Sequence, residues 1–126
     1  KKLARYLRSR SIHFIMHSDG NIGALIPDLI DAGLDVLQPL QANCGLNIID
    51  LKKNYGDKLS FYGNIGIASF RKGAAALEEE MRKKIPAAMR GGGYIFHSDH
   101  SIPPEIHYQV FKHGMDTLDE IGVYPC

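Results

Sequence analysis

The sequence predicts an α/β protein built from four parallel βα units. Three observations carry that reading. Four short apolar runs, at 12–16, 34–40, 59–62 and 94–96, are each followed by a stretch with helical apolar spacing. The first run, IHFIM, is almost continuously apolar, which suits a strand buried on both faces, the habit of parallel sheets. Successive runs begin about 20 to 35 residues apart, room enough for right-handed crossover helices.

In the first unit, residues 1–11 carry Leu3, Tyr6 and Leu7 at helical spacing and read as a helix end with those three side chains inward. The strand 12–16 stops at HSDGN. Ile22, Leu25, Ile26, Leu29 and Ile30 then mark one face of a helix in which Pro27 would cost a hydrogen bond unless it lies in the first turn, and Gly33 fits the C′ position. The second unit has a strand at 34–40 (LDVLQPL) punctuated by Pro39. Its helix is N-capped by Asn47, buries Ile48, Leu51 and Tyr55, and stops at Gly56.

The third strand, 59–62, runs into GNIG at 63–66. A long helix at 74–89 follows, with Leu77, Met81, Ile85 and Ala88 on one side and opposite charges at i,i+4 on the other. Glycines 91–93 end it. The fourth strand, 94–96, runs into HSDH. Pro103 and Pro104 are expected in the first turn of a closing helix to Ile121, with Ile106, Val110, Phe111, Met115 and Leu118 inward. Four such units make half of an eightfold barrel, or a small open sheet. In both, a ligand site belongs at the carboxyl ends of the strands.

Composition narrows the function. The 126 residues are one ordinary domain, 44% apolar, with a net charge of +1. That charge balance gives no case for nucleic acid or a membrane surface. No stretch approaches the ~20 apolar residues of a membrane span. Cys44 and Cys126 lack metal or disulfide-framework spacing, so a cytoplasmic location is expected. The opening KKLARYLRSR lacks an initiator Met, and a fragment of a longer protein is expected. Half a barrel would expose two sheet edges and an apolar inner face, which predicts self-association.

The strand ends carry the chemistry. FIMHSDGNI at 14–22 and YIFHSDHSI at 94–102 nearly repeat, with His17 and His97 opening the shared His-Ser-Asp. His17 and Asp19 lie two apart, so a persisting strand conformation points both to one side. Two histidines and a carboxylate, His17, Asp19 and His100, would make a three-ligand zinc site with an open position; otherwise they are hydrogen-bonded caps of strand ends. Asp19, His97 and Asp99 are the candidate catalytic residues. His97 would act as a second ligand or a general acid, or with Asp99 orient His100 or His17. Gln38, Gly63 and Asn64 are the candidate substrate-binding residues, with side-chain bonds to loop backbone as the alternative for Gln38 and Asn64.

HSDGNIGALIPDLIDAGLDVLQPLQ, LKKNYGDKLSFYGNIG and GGGYIFHSDHSIPPEI, in that order, resemble the C-terminal half of the uroporphyrinogen decarboxylase superfamily. The resemblance implies half of a TIM (β/α)8 barrel spanning residues 1–126 as a single unit. It also implies one of two chemistries. Methyltransferases of the superfamily move methyl groups between corrinoid proteins and thiols, with zinc held by a His-x-Cys-Gly and a later Cys. His17 matches that His, Asp19 replaces the first Cys, and His100 falls near the second. Decarboxylases carry Asp-Gly and a late His at these places, matched by Asp19-Gly20 and His100, and act on a tetrapyrrole without a cofactor. Gly66 departs from the Gly-Asn-x-Asp common among related sequences. The leading expectation is zinc-dependent methyl transfer from a corrinoid or other methylated donor to a thiol. Decarboxylation of uroporphyrinogen is the first alternative, and an inactive, self-associating half-barrel the second.

Overall fold

The computed structural model describes residues 1–124; Cys126, the second cysteine considered above, lies outside them. Four strands, β1 (Ile15–His17), β2 (Val36–Gln38), β3 (Ser60–Tyr62) and β4 (Tyr94–Ile95), form one parallel sheet in the order β1-β2-β3-β4. Six α-helices, α1 (Lys2–Arg8), α2 (Ile26–Ala32), α3 (Ile48–Tyr55), α4 (Ile67–Lys72), α5 (Ala74–Met89) and α6 (Tyr108–Ile121), and two 3-10 turns, at Gly23–Leu25 and Ala42–Cys44, complete the described chain. The expected fold class holds: α/β, with four parallel βα units. No described helix is long and apolar enough to cross a membrane.

The sheet register separates two faces. Met16, Leu37, Phe61 and Tyr94 align across the four strands. Leu37 and Phe61 are fully buried, and this row belongs to the core that the helices cover. The alternate residues lie on the other face, where Ile15 is 48% and Ile95 43% exposed. The expectation that the first strand is buried on both faces therefore fails. β1 is an edge strand, and its second face has no covering layer among the described residues.

Helix α5 buries five residues, more than any other described helix. Leu77, Met81, Ile85 and Ala88 are all fully buried, as their spacing predicts. Each of the three larger side chains contributes roughly 1.5–3 kcal/mol relative to exposure. Pro27 sits in the first turn of α2, and Gly33 closes that helix with φ 95°. Asn47 caps α3 by accepting from the Ile49 amide at 3.0 Å.

Four expectations change. Leu3 and Tyr6 are exposed, and α1 buries Ala4 instead, because Gly33 lets the chain come close to the Ala4 methyl. A short helix, α4, precedes α5. Helix α6 begins at Tyr108, so Pro103 and Pro104 lie in the loop before it. Ile106, Val110 and Leu118 pack against the core as expected, but the buried residues of α6 are Gly114 and Thr117, and Phe111 is exposed. A Cβ on Gly114 would stand 2.8 Å from Leu77 Cδ2, so the missing side chain is what lets α6 press against α5.

Candidate functional site

The carboxyl ends of the strands gather most of the residues singled out from the sequence, but in two different roles. One set faces the uncovered side of the sheet. His17 aligns with Gln38, and His17 Nδ1 lies 3.1 Å from Gln38 Oε1. His17 Nε2 is 3.6 Å from Asp19 Oδ1, and both side chains are more than half exposed. Hydrogen bonds hold the backbone on either side of Asp19. The Ser18 amide donates to the Gln38 carbonyl at 2.8 Å, and the Gly20 amide donates to Gln41 Oε1 at 2.7 Å. The carboxylate is therefore presented from fixed backbone.

Tyr62 joins this face and was missed from sequence. Its ring meets His97 edge-on, with centroids 4.8 Å apart and planes at 79°. Strand alternation carries the signal: Phe61 is fully buried on the helix side, so Tyr62 must lie on the other. His97 Nδ1 is hydrogen-bonded to the Ser98 carbonyl. A carbonyl only accepts, so Nδ1 bears the proton, and in neutral His97 the Nε2 lone pair is free. This bond orients His97 itself; it does not orient His100 or His17.

The second set is consumed by the architecture. Asn64 is fully buried with φ 80°. Its Oδ1 accepts from the Ile48 amide at 3.0 Å, and its Nδ2 donates to the Leu40 and Leu46 carbonyls. The proposed substrate role of Asn64 is corrected: its amide ties the β2 end to the start of α3. Gly63 is also structural. A Cβ there would lie 2.0 Å from the Pro39 carbonyl oxygen, so the glycine lets the β3 end pass the cis Gln38–Pro39 segment. Its carbonyl accepts from the buried Tyr94 hydroxyl at 3.2 Å; burial pushes that phenol well above its ordinary pKa.

Asp99 is buried, and its two carboxylate oxygens accept from the Ala42 amide at 3.0 Å and the Ile67 amide at 2.8 Å. Its own amide donates to the Ile65 carbonyl at 2.7 Å. The expected catalytic role of Asp99, and its support of His100 or His17, give way to a clamp across three strand ends. Asp99→Ala is expected to lower unfolding stability by about 3 kcal/mol, since one buried and one part-buried amide lose their acceptor. Urea denaturation checks this, and a loss under 1 kcal/mol contradicts the clamp.

Glu80 and Lys84 of α5 brace the same loops. Glu80 accepts from the Gly66 amide at 3.1 Å and from the Ser69 hydroxyl, and it pairs with Lys84. Lys84 also donates to the Asn64 carbonyl at 2.6 Å. Gly66 is thus held by a carboxylate from a helix.

The proposed metal set does not assemble. Among the described residues, no group of three or more His, Cys, Asp or Glu side chains is placed to hold a metal ion. His100 is exposed and lines a separate groove of about 750 Å³ with Gln41, Ala42, Lys83 and Lys84; neither His17 nor Asp19 lines it. His17 and Asp19 alone fall short of the three protein ligands of an open zinc site. The residues present do not fit zinc in this arrangement.

The uroporphyrinogen decarboxylase (URO-D) family model matches residues 1–121. The chain belongs to the uroporphyrinogen decarboxylase family. A uroporphyrinogen decarboxylase of Hahella chejuensis is 25% identical over 121 residues, covering 96% of this chain and 33% of that protein. One from Pseudomonas putida is 27% identical over 119 residues, covering 92% of this chain and 32% of its own length. The chain thus spans about a third of the length of these curated relatives. A methyltransferase from Methanosarcina mazei has the same fold over 97% of this chain and 35% of its own, with TM-score 0.65 and 18% identity.

Proposed function

We propose that this chain furnishes one wall of a catalytic centre that decarboxylates a pyrrole substrate without a metal. The observation that carries the reading is Asp19, an exposed carboxylate held on fixed backbone beside His17 on the uncovered sheet face. Sequence similarity to decarboxylases across nearly the whole chain supports it.

In such a reaction a proton adds to the pyrrole ring. The carbon–carboxylate bond then breaks, its electron pair neutralises the ring, and carbon dioxide leaves; a proton adds at the vacated carbon, and the ring gives up the proton it first took. Positive charge develops on the ring before carbon dioxide departs. A preorganised carboxylate stabilises that charge more than it stabilises the neutral ground state. Asp19 fills that role. His97 Nε2 and the Gln38 amide offer polar contacts to ring or side-chain groups from the same face.

Methyl transfer to a thiol, with a corrinoid protein as donor, is the second reading. The approach of His17 to Asp19 favours it, as does the His-x-Asp-Gly at the strand end. It requires a third metal donor beyond these two.

A full-length polypeptide carrying these 126 residues distinguishes the two. Uroporphyrinogen turnover that persists in a metal chelator is the expected result. Turnover absent under all conditions, with thiol methylation that a chelator abolishes and zinc restores, would reverse the preference.

A further inference from the structure

A pyrrole that gains a proton, loses carbon dioxide and recovers its aromatic ring needs a group that gives a proton and takes it back. Three histidines stand at the strand ends. His17 has both nitrogens engaged, Nδ1 with Gln38 Oε1 at 3.1 Å and Nε2 with Asp19 Oδ1 at 3.6 Å. His100 lines the separate groove. His97 differs from both, because its Nδ1 is committed to the Ser98 carbonyl while its Nε2 is not.

The sheet fixes where His97 points. Phe61 pairs with Tyr94, Tyr62 with Ile95 and Ile65 with Ser98, so one register continues past the end of β4. The Ile65 amide donates to the His97 carbonyl at 3.2 Å, and the Asp99 amide donates to the Ile65 carbonyl at 2.7 Å. Alternation therefore persists: Phe96 packs on the core, Ser98 is buried, and His97 falls on the uncovered face with Ile95. Tyr62 lies across from Ile95, and its ring meets the His97 imidazole edge-on at 4.8 Å. Asp99, two residues on, has both carboxylate oxygens committed to backbone amides and does not draw on the His97 proton.

We propose that His97 is the catalytic residue that carries the ring proton, through Nε2, and that Tyr62 is the positioning residue that fixes its imidazole. The assignment rests on the decarboxylation reading. Protonated at both nitrogens, His97 gives its Nε2 proton to a ring carbon and keeps the Nδ1 proton on the Ser98 carbonyl. The ring cation forms, the carbon–carboxylate bond breaks, its electron pair neutralises the ring, and carbon dioxide leaves. Solvent supplies the proton at the vacated carbon. Neutral Nε2 then takes back the proton that the ring first received, and His97 is restored. The net change is one proton consumed from solvent for each carbon dioxide released. β1, with Asp19 beyond its end, and β4 are three strand spacings apart, about 14 Å along the sheet. Barrel curvature turns their inner side chains toward each other, so the pyrrole lies between Asp19 and His97.

The test uses a full-length polypeptide carrying this segment, with uroporphyrinogen as substrate. His97→Ala is expected to lower kcat about a hundredfold or more, with KM little changed. Imidazole added to the solution should restore part of that loss, because it refills the vacated place with the same acid. His97→Gln fills the place without an acid; it should be as slow and should not respond to imidazole. Tyr62→Phe keeps the ring against His97 and should stay within about twofold of the unaltered rate, whereas Tyr62→Ala should lower kcat about tenfold. In the His97→Ala background, Tyr62→Ala should add no further loss, because the imidazole it holds is gone. Losses that multiply overturn the positioning role of Tyr62. Turnover that survives His97→Ala, or a loss in that folded variant that imidazole does not relieve, overturns the role of His97. Should His97→Ala not fold, His97→Gln decides: an unaltered rate overturns the role, and a hundredfold loss in a folded chain supports it. Absence of turnover by the unaltered polypeptide removes the decarboxylation reading and this assignment together. Turnover that Asp19→Asn abolishes and His97→Ala spares removes the assignment alone.

Discussion

Asn64→Ala is expected to destabilise the chain by about 4 kcal/mol, the largest stability effect of any single polar residue at the strand ends. Asn64 is fully buried and serves three backbone groups, the Ile48 amide and the Leu40 and Leu46 carbonyls. Alanine leaves all three without a partner and without access to water. Each buried, unsatisfied polar group costs roughly 1–3 kcal/mol. The backbone adds a smaller penalty, because alanine at φ 80° is strained where asparagine is tolerated.

Two further substitutions separate these causes. Asn64→Gly removes the strain but not the orphaned groups, and should be about 1 kcal/mol milder than alanine. Asn64→Asp keeps the shape and the acceptor for Ile48, but sets an anionic oxygen against two carbonyls; it should be at least as damaging as alanine. Urea denaturation with a common m-value measures all three. A cost below 1 kcal/mol for alanine would mean that water or neighbouring chain replaces the amide, and the strand ends would not depend on it. A typical domain holds only about 5–15 kcal/mol in total, so the predicted loss threatens the fold itself.

The contrast between Asn64 and α5 shows what a sequence carries openly. Helix α5 was legible because its apolar residues recur along 16 residues, long enough for period to declare both the helix and its buried face. Helix α4 has 6 residues and too few turns to display a period. The α6 face was legible in part: Ile106, Val110 and Leu118 pack against the core as expected, but Gly114 was given no weight, although a missing side chain is what permits the close contact with Leu77. Strand parity was enough to place His17, and would have placed Tyr62 had it been applied to β3. It says nothing of His100, which follows β4 through a bend where alternation no longer holds. The roles of Asn64 and Asp99 were hidden for a different reason. Their partners lie 16 to 57 residues away along the chain, and they are backbone groups, which every residue possesses. Side chains that look like chemistry at a strand end are here divided between chemistry and architecture by burial, which the residue type does not announce.

Asp19→Asn is expected to lower kcat for uroporphyrinogen about a hundredfold in a full-length polypeptide carrying this segment, while leaving folding intact. The side chain is 64% exposed, and its one close side-chain partner among the described residues is His17 Nε2 at 3.6 Å. Its loss therefore removes little stability, and any large kinetic effect must come from the reaction. Asparagine preserves the size and the flanking bonds at Ser18 and Gly20, so only the charge changes. On the decarboxylation reading that charge acts on the cationic ring intermediate more than on the bound substrate, so kcat and kcat/KM should fall together. An increase confined to KM would make Asp19 a binding residue and remove its assigned role in the chemistry. Unchanged kinetics would remove it from the site altogether. His17→Gln provides the companion measurement. On the metal-free reading it should be much milder than Asp19→Asn, because His17 only flanks the carboxylate. Were His17 and Asp19 both metal ligands, the two variants would fail alike and lose metal together.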